Sequence, residues 1–125
     1  MGLDKIDYIE EAGVVDLNIQ QGSTYRHNFI YVDKDAVPWI LSGYSARMQF
    51  RVHVNSNEIL YEATTEGGGL VIDGAGGRVK LEIPAETTEQ FNFRRAVYDI
   101  ELVTPTDRVS RLCHGRVFVT WEITR

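Results

Sequence analysis

The chain has 125 residues, of which 43% are hydrophobic and 25% charged, and its formal net charge is -5. This length suits one domain with its own core, and the composition excludes a disordered chain or a membrane-spanning one. An acidic chain lacks the excess of Lys and Arg that binding to phosphates requires, so we expect no nucleic-acid partner. The single cysteine, Cys113, excludes an internal disulfide bond and a cysteine-based zinc site.

The first 13 residues differ in pattern from the remainder of the chain. Ile6, Tyr8 and Ile9 are scattered among acidic residues, so the segment matches neither strand nor helix periodicity. We therefore predict an N-terminal arm over residues 1–13 that becomes ordered only against another subunit, followed by one domain over residues 14–125. The acidic start lacks the basic and apolar stretches of a secretory signal, so we expect synthesis in the cytoplasm and no membrane partner.

Short strands follow from residue 14 onward. Val14–Gln20 alternates apolar and polar residues, and Thr24–Val32 is rich in aromatic residues, which favours two strands joined by a turn. Pro38 cannot donate a hydrogen bond to a central sheet position, so we predict that residues 37–42 form a short crossing between the sheets or an edge piece. The clearest alternation is Tyr44–His53, which predicts a long strand with one buried and one solvated face.

The middle of the chain continues this pattern of strands and turns. Ile59–Thr64 is predicted to return as the hairpin partner of the long strand, and a glycine-rich turn joins two short strands at residues 70–72 and 79–83. Glycine-rich loops also cradle phosphates, but that requires a helix directly after the glycines, and the pattern predicts none there. Residues 84–90 begin with proline and contain glutamate early, which predicts a short helix that bridges the two sheets.

Two further strands complete the chain. Arg94–Thr104 alternates clearly, and the last strand runs from Val109 towards Ile123 with a bulge predicted at Gly115. No helix separates consecutive strands, as parallel pairing would require, so hairpins are expected. The residues predict an all-β, antiparallel sandwich of about eight strands with one short helix. We prefer a sandwich to a barrel because crossings at Pro38 and at the helix divide the strands between two sheets.

No pattern of catalytic or metal-binding residues stands out. His27, His53 and His114 lie apart, and none has the spacing of a metal site. Asp99 and Glu101 share one face of a predicted strand, as the acid and base of a glycosidase would, but cross-strand ion pairs are the simpler interpretation. The arginines available for such pairs are Arg47, Arg51 and Arg116. We therefore expect no enzymatic activity, no catalytic residues, no metal and no cofactor.

The aromatic residues include one candidate anchor for a protein interface. Trp39 follows Pro38 in a predicted loop or edge segment, where its ring is free to contact a partner. The other large aromatic residues are expected to pack inward: Tyr31, Tyr44, Tyr61 and Trp121. Together with Tyr8 and Ile9 of the predicted arm, Trp39 completes a set of three possible interface residues.

Several segments resemble small structural proteins encoded with the virion genes of tailed bacteriophages. These segments are Asp16–Gly22 with Thr24 and Tyr25, Leu41–Arg51, Thr64–Gly68, Ala96–Val103, and Gly115–Val117 with Glu122–Arg125. The chain is also loosely similar to the immunoglobulin-like N-terminal domain of phage upper-baseplate proteins, in which a turn containing Leu, Ser or Thr, and Gly leads into a long alternating strand. The resemblance implies an immunoglobulin-like sandwich.

The resemblance also implies a role in particle assembly. The matched segments are strand starts, glycine-containing turns and sheet faces, and they include no group of ligand-binding or catalytic residues. We expect a non-enzymatic virion protein, made in the host cytoplasm, that acts as a small assembly or adaptor subunit of the tail, collar or baseplate. Its expected partners are other virion proteins and copies of itself. The alternatives are a capsid decoration protein and a non-virion binding module, such as a sugar-binding domain or an assembly chaperone.

Overall fold

Two β-sheets packed face to face form the molecule, as seen in a computed structural model that describes residues 4–124. The small sheet has the strand order β1-β4-β8-β7, and the large sheet has the order β2-β10-β9-β5-β6 with β3 also beside β10. The elements are β1 (Lys5–Ile9), β2 (Gly13–Val14), β3 (Leu17–Gln20), β4 (Tyr25–Tyr31), β5 (Ser45–Arg51), β6 (Tyr61–Thr64), β7 (Leu70–Asp73), β8 (Arg78–Ile83), α1 (Ala85–Thr88), β9 (Arg95–Val103) and β10 (Val109–Thr120). The predicted all-β sandwich with one short helix is confirmed.

Alternation along the strands creates the core between the sheets. In β5, Ala46, Met48 and Phe50 are buried, as the sequence pattern predicted, while the residues between them face outward. Phe50 is fully buried at the centre of an aromatic cluster, with ring centroids 5.1 to 6.5 Å from those of its neighbours. The neighbours are Tyr61, Phe91, Phe93 and Tyr98. This cluster joins β5, β6, β9 and the segment that follows α1, at the end of the sandwich where the short helix lies.

The predicted hairpins and crossings are present. β5 pairs with β6, and β7 pairs with β8 across the glycine-rich turn, both antiparallel. The chain crosses from the small to the large sheet in the segment containing Pro38 and again through α1. A further crossing, which the sequence pattern did not reveal, leads from β6 to β7 through residues 65–69. Among the described residues no helix has the length and apolar character needed to cross a bilayer.

The prediction of purely antiparallel pairing is wrong. β1 lies parallel to β4, and β2 and β3 lie parallel to β10. Each of these pairs joins strands that no hairpin connects, so no tight turn imposes opposite directions on them. The chain leaves the small sheet after Ile9 and enters the large sheet at Gly13, so that its first strands lie on the edges of both sheets.

The segment predicted as a free arm is also corrected. Residues 5–9 form β1, an edge strand of the small sheet, while residues 1–3 lie outside the described part of the chain. The strand was missed because Asp7 occupies an inward position, where its carboxylate accepts a hydrogen bond from buried His27. An inward carboxylate breaks the apolar alternation by which strands are identified.

The bulge predicted at Gly115 lies earlier, where the pairing of β10 with β9 shifts between Arg111 and Cys113. Gly115 itself is regularly paired with Tyr98. Its lack of a side chain is required by the neighbouring chain, because a Cβ there would overlap the carbonyl oxygen of Val15. The glycine therefore marks a close approach of two backbones.

Thr88 connects the helix to the turn between β3 and β4. Its buried hydroxyl donates to the Ser23 carbonyl over 2.8 Å and accepts the Gly22 N–H over 3.0 Å. We expect Thr88→Val to lower the free energy of unfolding by about 1–3 kcal/mol, because both backbone groups lose their partner. Urea denaturation measures this, with half-buried Thr87→Val as the control. Equal effects of the two substitutions would contradict the assignment.

Candidate protein interface

The three predicted interface residues occupy different surroundings. Tyr8 is 70% exposed on β1, and Trp39 is 48% exposed in the loop between β4 and β5. Ile9 is only 2% exposed and belongs to the core, so its prediction as an interface residue is corrected. The reason is the alternation of β1, which turns Tyr8 outward and Ile9 inward. Tyr8 and Trp39 therefore belong to two separate surfaces.

A short hairpin beyond β4 positions Trp39. The Asp33 carboxylate accepts the N–H groups of Asp35 and Val37 over 2.8 and 3.0 Å, which closes the turn. The Trp39 N–H then donates to the Tyr31 carbonyl over 2.8 Å, and the Trp39 ring stacks on the Tyr31 ring with centroids 5.6 Å apart. One face of the indole is thereby held by the protein.

The backbone of Gly77 packs closely against the backbone of this hairpin. It adopts a φ of +62°, and a Cβ at this position would lie 2.7 Å from the Trp39 carbonyl oxygen and 2.9 Å from that of Tyr31. The glycine allows three backbone segments to meet. Val37 and Ile40, on either side of the tryptophan, are 55% and 63% exposed. We call Val37, Trp39 and Ile40 the Trp39 knob. It is an exposed apolar anchor whose conformation is set before any partner arrives.

Acidic residues occupy the two turns beside the knob. The Val32 N–H donates to the Ile9 carbonyl over 2.8 Å, which brings the turn after β1 beside the hairpin. Burial and the nearby charge of Glu11 raise the pKa of the Tyr31 phenol above its ordinary value of 10.0. We call the carboxylates of these two turns the acidic rim: Glu10, Glu11, Asp33 and Asp35. Lys34 is the single cation between them.

The outer face of the small sheet is the second uncovered surface. Its apolar side chains include Ile6, Tyr8 and Val71, which are 51%, 70% and 62% exposed. The strand register places Lys80 and Arg78 between these side chains, in the rows Ile6-Asn28-Lys80-Val71 and Tyr8-Ile30-Arg78-Asp73. We call this surface the small-sheet face. It combines exposed apolar groups with central cations, and no described element covers it.

A buried hydrogen-bond chain attaches β1 to this sheet. The Tyr25 hydroxyl donates to His27 Nδ1 over 2.7 Å, and His27 Nε2–H donates to Asp7 over 2.6 Å. Because the Asp7 carboxylate is an acceptor, a neutral imidazole carries its proton on Nε2 and accepts from Tyr25 at Nδ1. Burial lowers the pKa of His27 below its ordinary value of 6.5, and the hydrogen bond to Asp7 opposes this in part.

The lowered pKa of His27 predicts a pH dependence of stability. Because the unfolded chain binds a proton more readily than the folded protein, the stabilisation is complete above pH 6.5 and is lost as pH falls through the lowered folded-state pKa. We expect His27→Gln to flatten this dependence. Urea denaturation over a pH series measures it, with exposed His53→Gln as the control. A wild-type dependence retained by His27→Gln would contradict the assignment to His27.

The outer face of the large sheet holds a depression of about 820 Å³ that is lined by apolar side chains and by charged ones, most of which pair with each other. Arg47 donates to Glu101 over 2.7 Å, which confirms one predicted cross-strand pair. Asp99 lies 3.6 Å from Arg111, a partner that was not predicted. The predicted candidates Arg51 and Arg116 bond elsewhere, Arg51 to Gln49 and the Ser56 carbonyl and Arg116 to Asp16. The geometry favours the structural interpretation of the carboxylates Asp99 and Glu101.

The three histidines differ in their exposure to solvent. His27 is buried, His114 is half-buried, and His53 is exposed. Within residues 4–124, no three side chains of His, Cys, Asp and Glu come together as a metal-binding group. Cys113 is fully buried, and burial raises the pKa of its thiol to about 12, which leaves it unreactive.

Sequence reasoning missed parts of both surfaces. Val37 and Ile40 were seen only as neighbours of Pro38, although an Asp-containing turn followed by an apolar segment is a signal for a hairpin of this kind. The small-sheet face was missed because its exposed side chains come from four strands that are distant in sequence. Only the strand register brings them together.

Comparisons with known proteins bear on the fold. No family model matches the sequence, and no curated protein matches it significantly. The N-terminal domain of ORF48 of phage TP901-1 is similar in structure, with a TM-score of 0.59 and 11% identity over 93% of this chain and 97% of that one. A chicken TCR has a TM-score of 0.52 and 12% identity over 94% of this chain and 56% of that one. The chain therefore has an immunoglobulin-like β-sandwich fold, which it shares with a domain of a phage protein.

Proposed function

We propose that the chain is a non-enzymatic structural protein of a tailed bacteriophage. In this proposal it is a small assembly or adaptor subunit of the tail, collar or baseplate, made in the host cytoplasm and incorporated into the virion. The observation that carries the proposal is the match of whole domain to whole domain, since 93% of this chain aligns with 97% of the phage TP901-1 domain. Its partners are other virion proteins and copies of itself.

The surfaces of the molecule support a role in assembly. A subunit of a particle needs exposed anchors held in fixed conformations, and the Trp39 knob has this property. The small-sheet face offers a second contact area, with Tyr8 and Ile6 on an edge strand. The carboxylates that resembled a catalytic pair are engaged by arginines. A role in contacts between proteins accounts for these features without an active site.

Quantitative mass spectrometry of purified particles tests the proposal. We expect the chain in a fixed ratio to tail proteins, and we expect it to remain with tails when these are separated from capsids. Recovery with capsids alone would indicate a decoration protein. Presence during assembly with absence from mature particles would indicate a chaperone, and either result would contradict a tail, collar or baseplate subunit.

A sugar-binding function makes a different prediction about Trp39. One face of its ring is already stacked on Tyr31, which leaves the other face and the edge for a ligand. Binding on a glycan array that Trp39→Ala abolishes would favour a sugar-binding module. We expect no such signal.

A further inference from the structure

We propose that the Trp39 knob of one copy docks on the small-sheet face of a second copy, in a head-to-tail contact. This inference deepens the proposed function, on which it rests, by naming one partner and the two surfaces involved. The contact uses both exposed residues that the sequence singled out, since Trp39 lies on one surface and Tyr8 on the other. In a pair formed this way, one copy keeps a free face and the other keeps a free knob, so the contact can be repeated from copy to copy.

Charge complementarity is the first argument for this pairing. Within residues 4–124 no ion pair engages the carboxylates of the acidic rim, so their charge is available to a partner. Lys80 and Arg78 of the small-sheet face are likewise absent from those ion pairs. Asp73 lies opposite Arg78 at the corner of the face, which leaves Lys80 as its central free cation. Docking brings the acidic rim and the apolar knob of one copy against Lys80 and the apolar side chains of the small-sheet face of the other.

Other surfaces of the same chain fit the knob poorly. On the large-sheet face, Arg47, Arg111 and Arg116 are each paired with a carboxylate of their own chain. The remaining two arginines of that face are also engaged within the chain, Arg51 by Gln49 and the Ser56 carbonyl and Arg95 by the ring of Phe118. The opposite end of the sandwich carries several acidic residues, and Arg94 there lies 4.6 Å from the centre of the Trp121 ring. The acids of that end are Glu58, Glu86, Glu89 and Glu122. The small-sheet face is the surface whose charge and apolar content both suit the knob.

The geometry of the pairing predicts its symmetry. The knob and the small-sheet face are different surfaces, so the contact is heterologous and cannot close as a two-fold dimer by itself. Repetition gives a ring where the rotation closes, and a filament where it does not. A ring or short stack of identical subunits is the expected assembly.

A charge exchange between two variants tests the inference. Lys80→Glu gives a copy whose face and rim are both acidic, and a combined Glu10→Lys, Glu11→Lys and Asp35→Lys variant gives a copy in which the rim charge is reversed. All four side chains are exposed, and none makes an ion pair within the described residues. We expect each variant alone to be monomeric in sedimentation velocity where the wild type associates. An equimolar mixture regains association, because each rim then meets a face of opposite charge.

Two tryptophan variants provide the matched control. Trp39→Ala is expected to weaken association about 30-fold. Trp121→Ala, which removes a tryptophan of similar exposure from the other end, is expected to leave it unchanged. Thermal unfolding by circular dichroism establishes that each variant is folded. Raised salt is expected to weaken association of the wild type.

Two results would overturn the inference. One is a wild-type protein that stays monomeric at the highest soluble concentration. The other is association that is insensitive to Trp39→Ala or is not regained in the mixture of charge variants. These results are independent of whether the chain is found in virions, so the inference and the proposed function fail separately.

Discussion

Phe50→Ala is expected to lower the free energy of unfolding by about 3–5 kcal/mol. Phe50 is fully buried, and its ring contacts four other aromatic rings from β6, from β9 and from the segment after α1. Truncation removes the buried ring and leaves a cavity that rigid neighbours cannot fill. Urea denaturation measures the change, with half-exposed Val52→Ala as a control expected within about 0.5 kcal/mol.

A small effect of Phe50→Ala would show that the end of the sandwich below the helix relaxes around the cavity. That outcome would contradict the description of this end as a fixed aromatic cluster. A Phe50→Leu variant separates the two contributions, because leucine keeps most of the apolar volume and loses the ring contacts. We expect it to be less destabilising than Phe50→Ala.

Gly115→Val is expected to destabilise the protein by about 3 kcal/mol or more. A Cβ on Gly115 would overlap the Val15 carbonyl oxygen and lie 2.7 Å from its carbonyl carbon. The backbone there cannot move aside easily, because the Val15 N–H donates to the His114 carbonyl over 2.9 Å. The substitution must push the segment around Val15, between β2 and β3, away from β10, or displace β10 from β9.

Gly13→Ala is the matched control for Gly115→Val. Its nearest neighbour would be the Ile9 side chain, at 3.2 Å, which has freedom to adjust. We expect a change within about 1 kcal/mol, measured by the same denaturation experiment. Equal stability of the two variants would show that the backbones at Gly115 and Val15 are farther apart than described.

The fold was predictable wherever local pattern decides the structure. The alternation of apolar and polar residues and the turn residues predict β5 and its hairpin with β6. Pro84, followed by acidic residues, predicts α1. Parallel pairing of β1 with β4 and of β3 with β10 was not predictable in this way. Those pairs join distant segments, and their direction is set by packing across the whole sandwich.

The candidate interface was predictable only in part, for the same reason. Trp39 was identified because a tryptophan after a proline in a loop has little chance of burial. Ile9 was misassigned because Asp7 makes β1 look polar, whereas its carboxylate is accommodated in the sheet by a hydrogen bond from His27, a residue 20 positions away in sequence. Lys80 and Arg78 could be placed at the centre of the small-sheet face only from the register of β8 against β4 and β7.

A reconstruction of the phage particle tests the central claim most directly. The proposed function predicts density for this immunoglobulin-like sandwich, in several copies, within the tail, collar or baseplate, with Trp39 and the small-sheet face in contacts between subunits. A complete reconstruction in which every protein of these parts is assigned and this chain is absent would contradict the account.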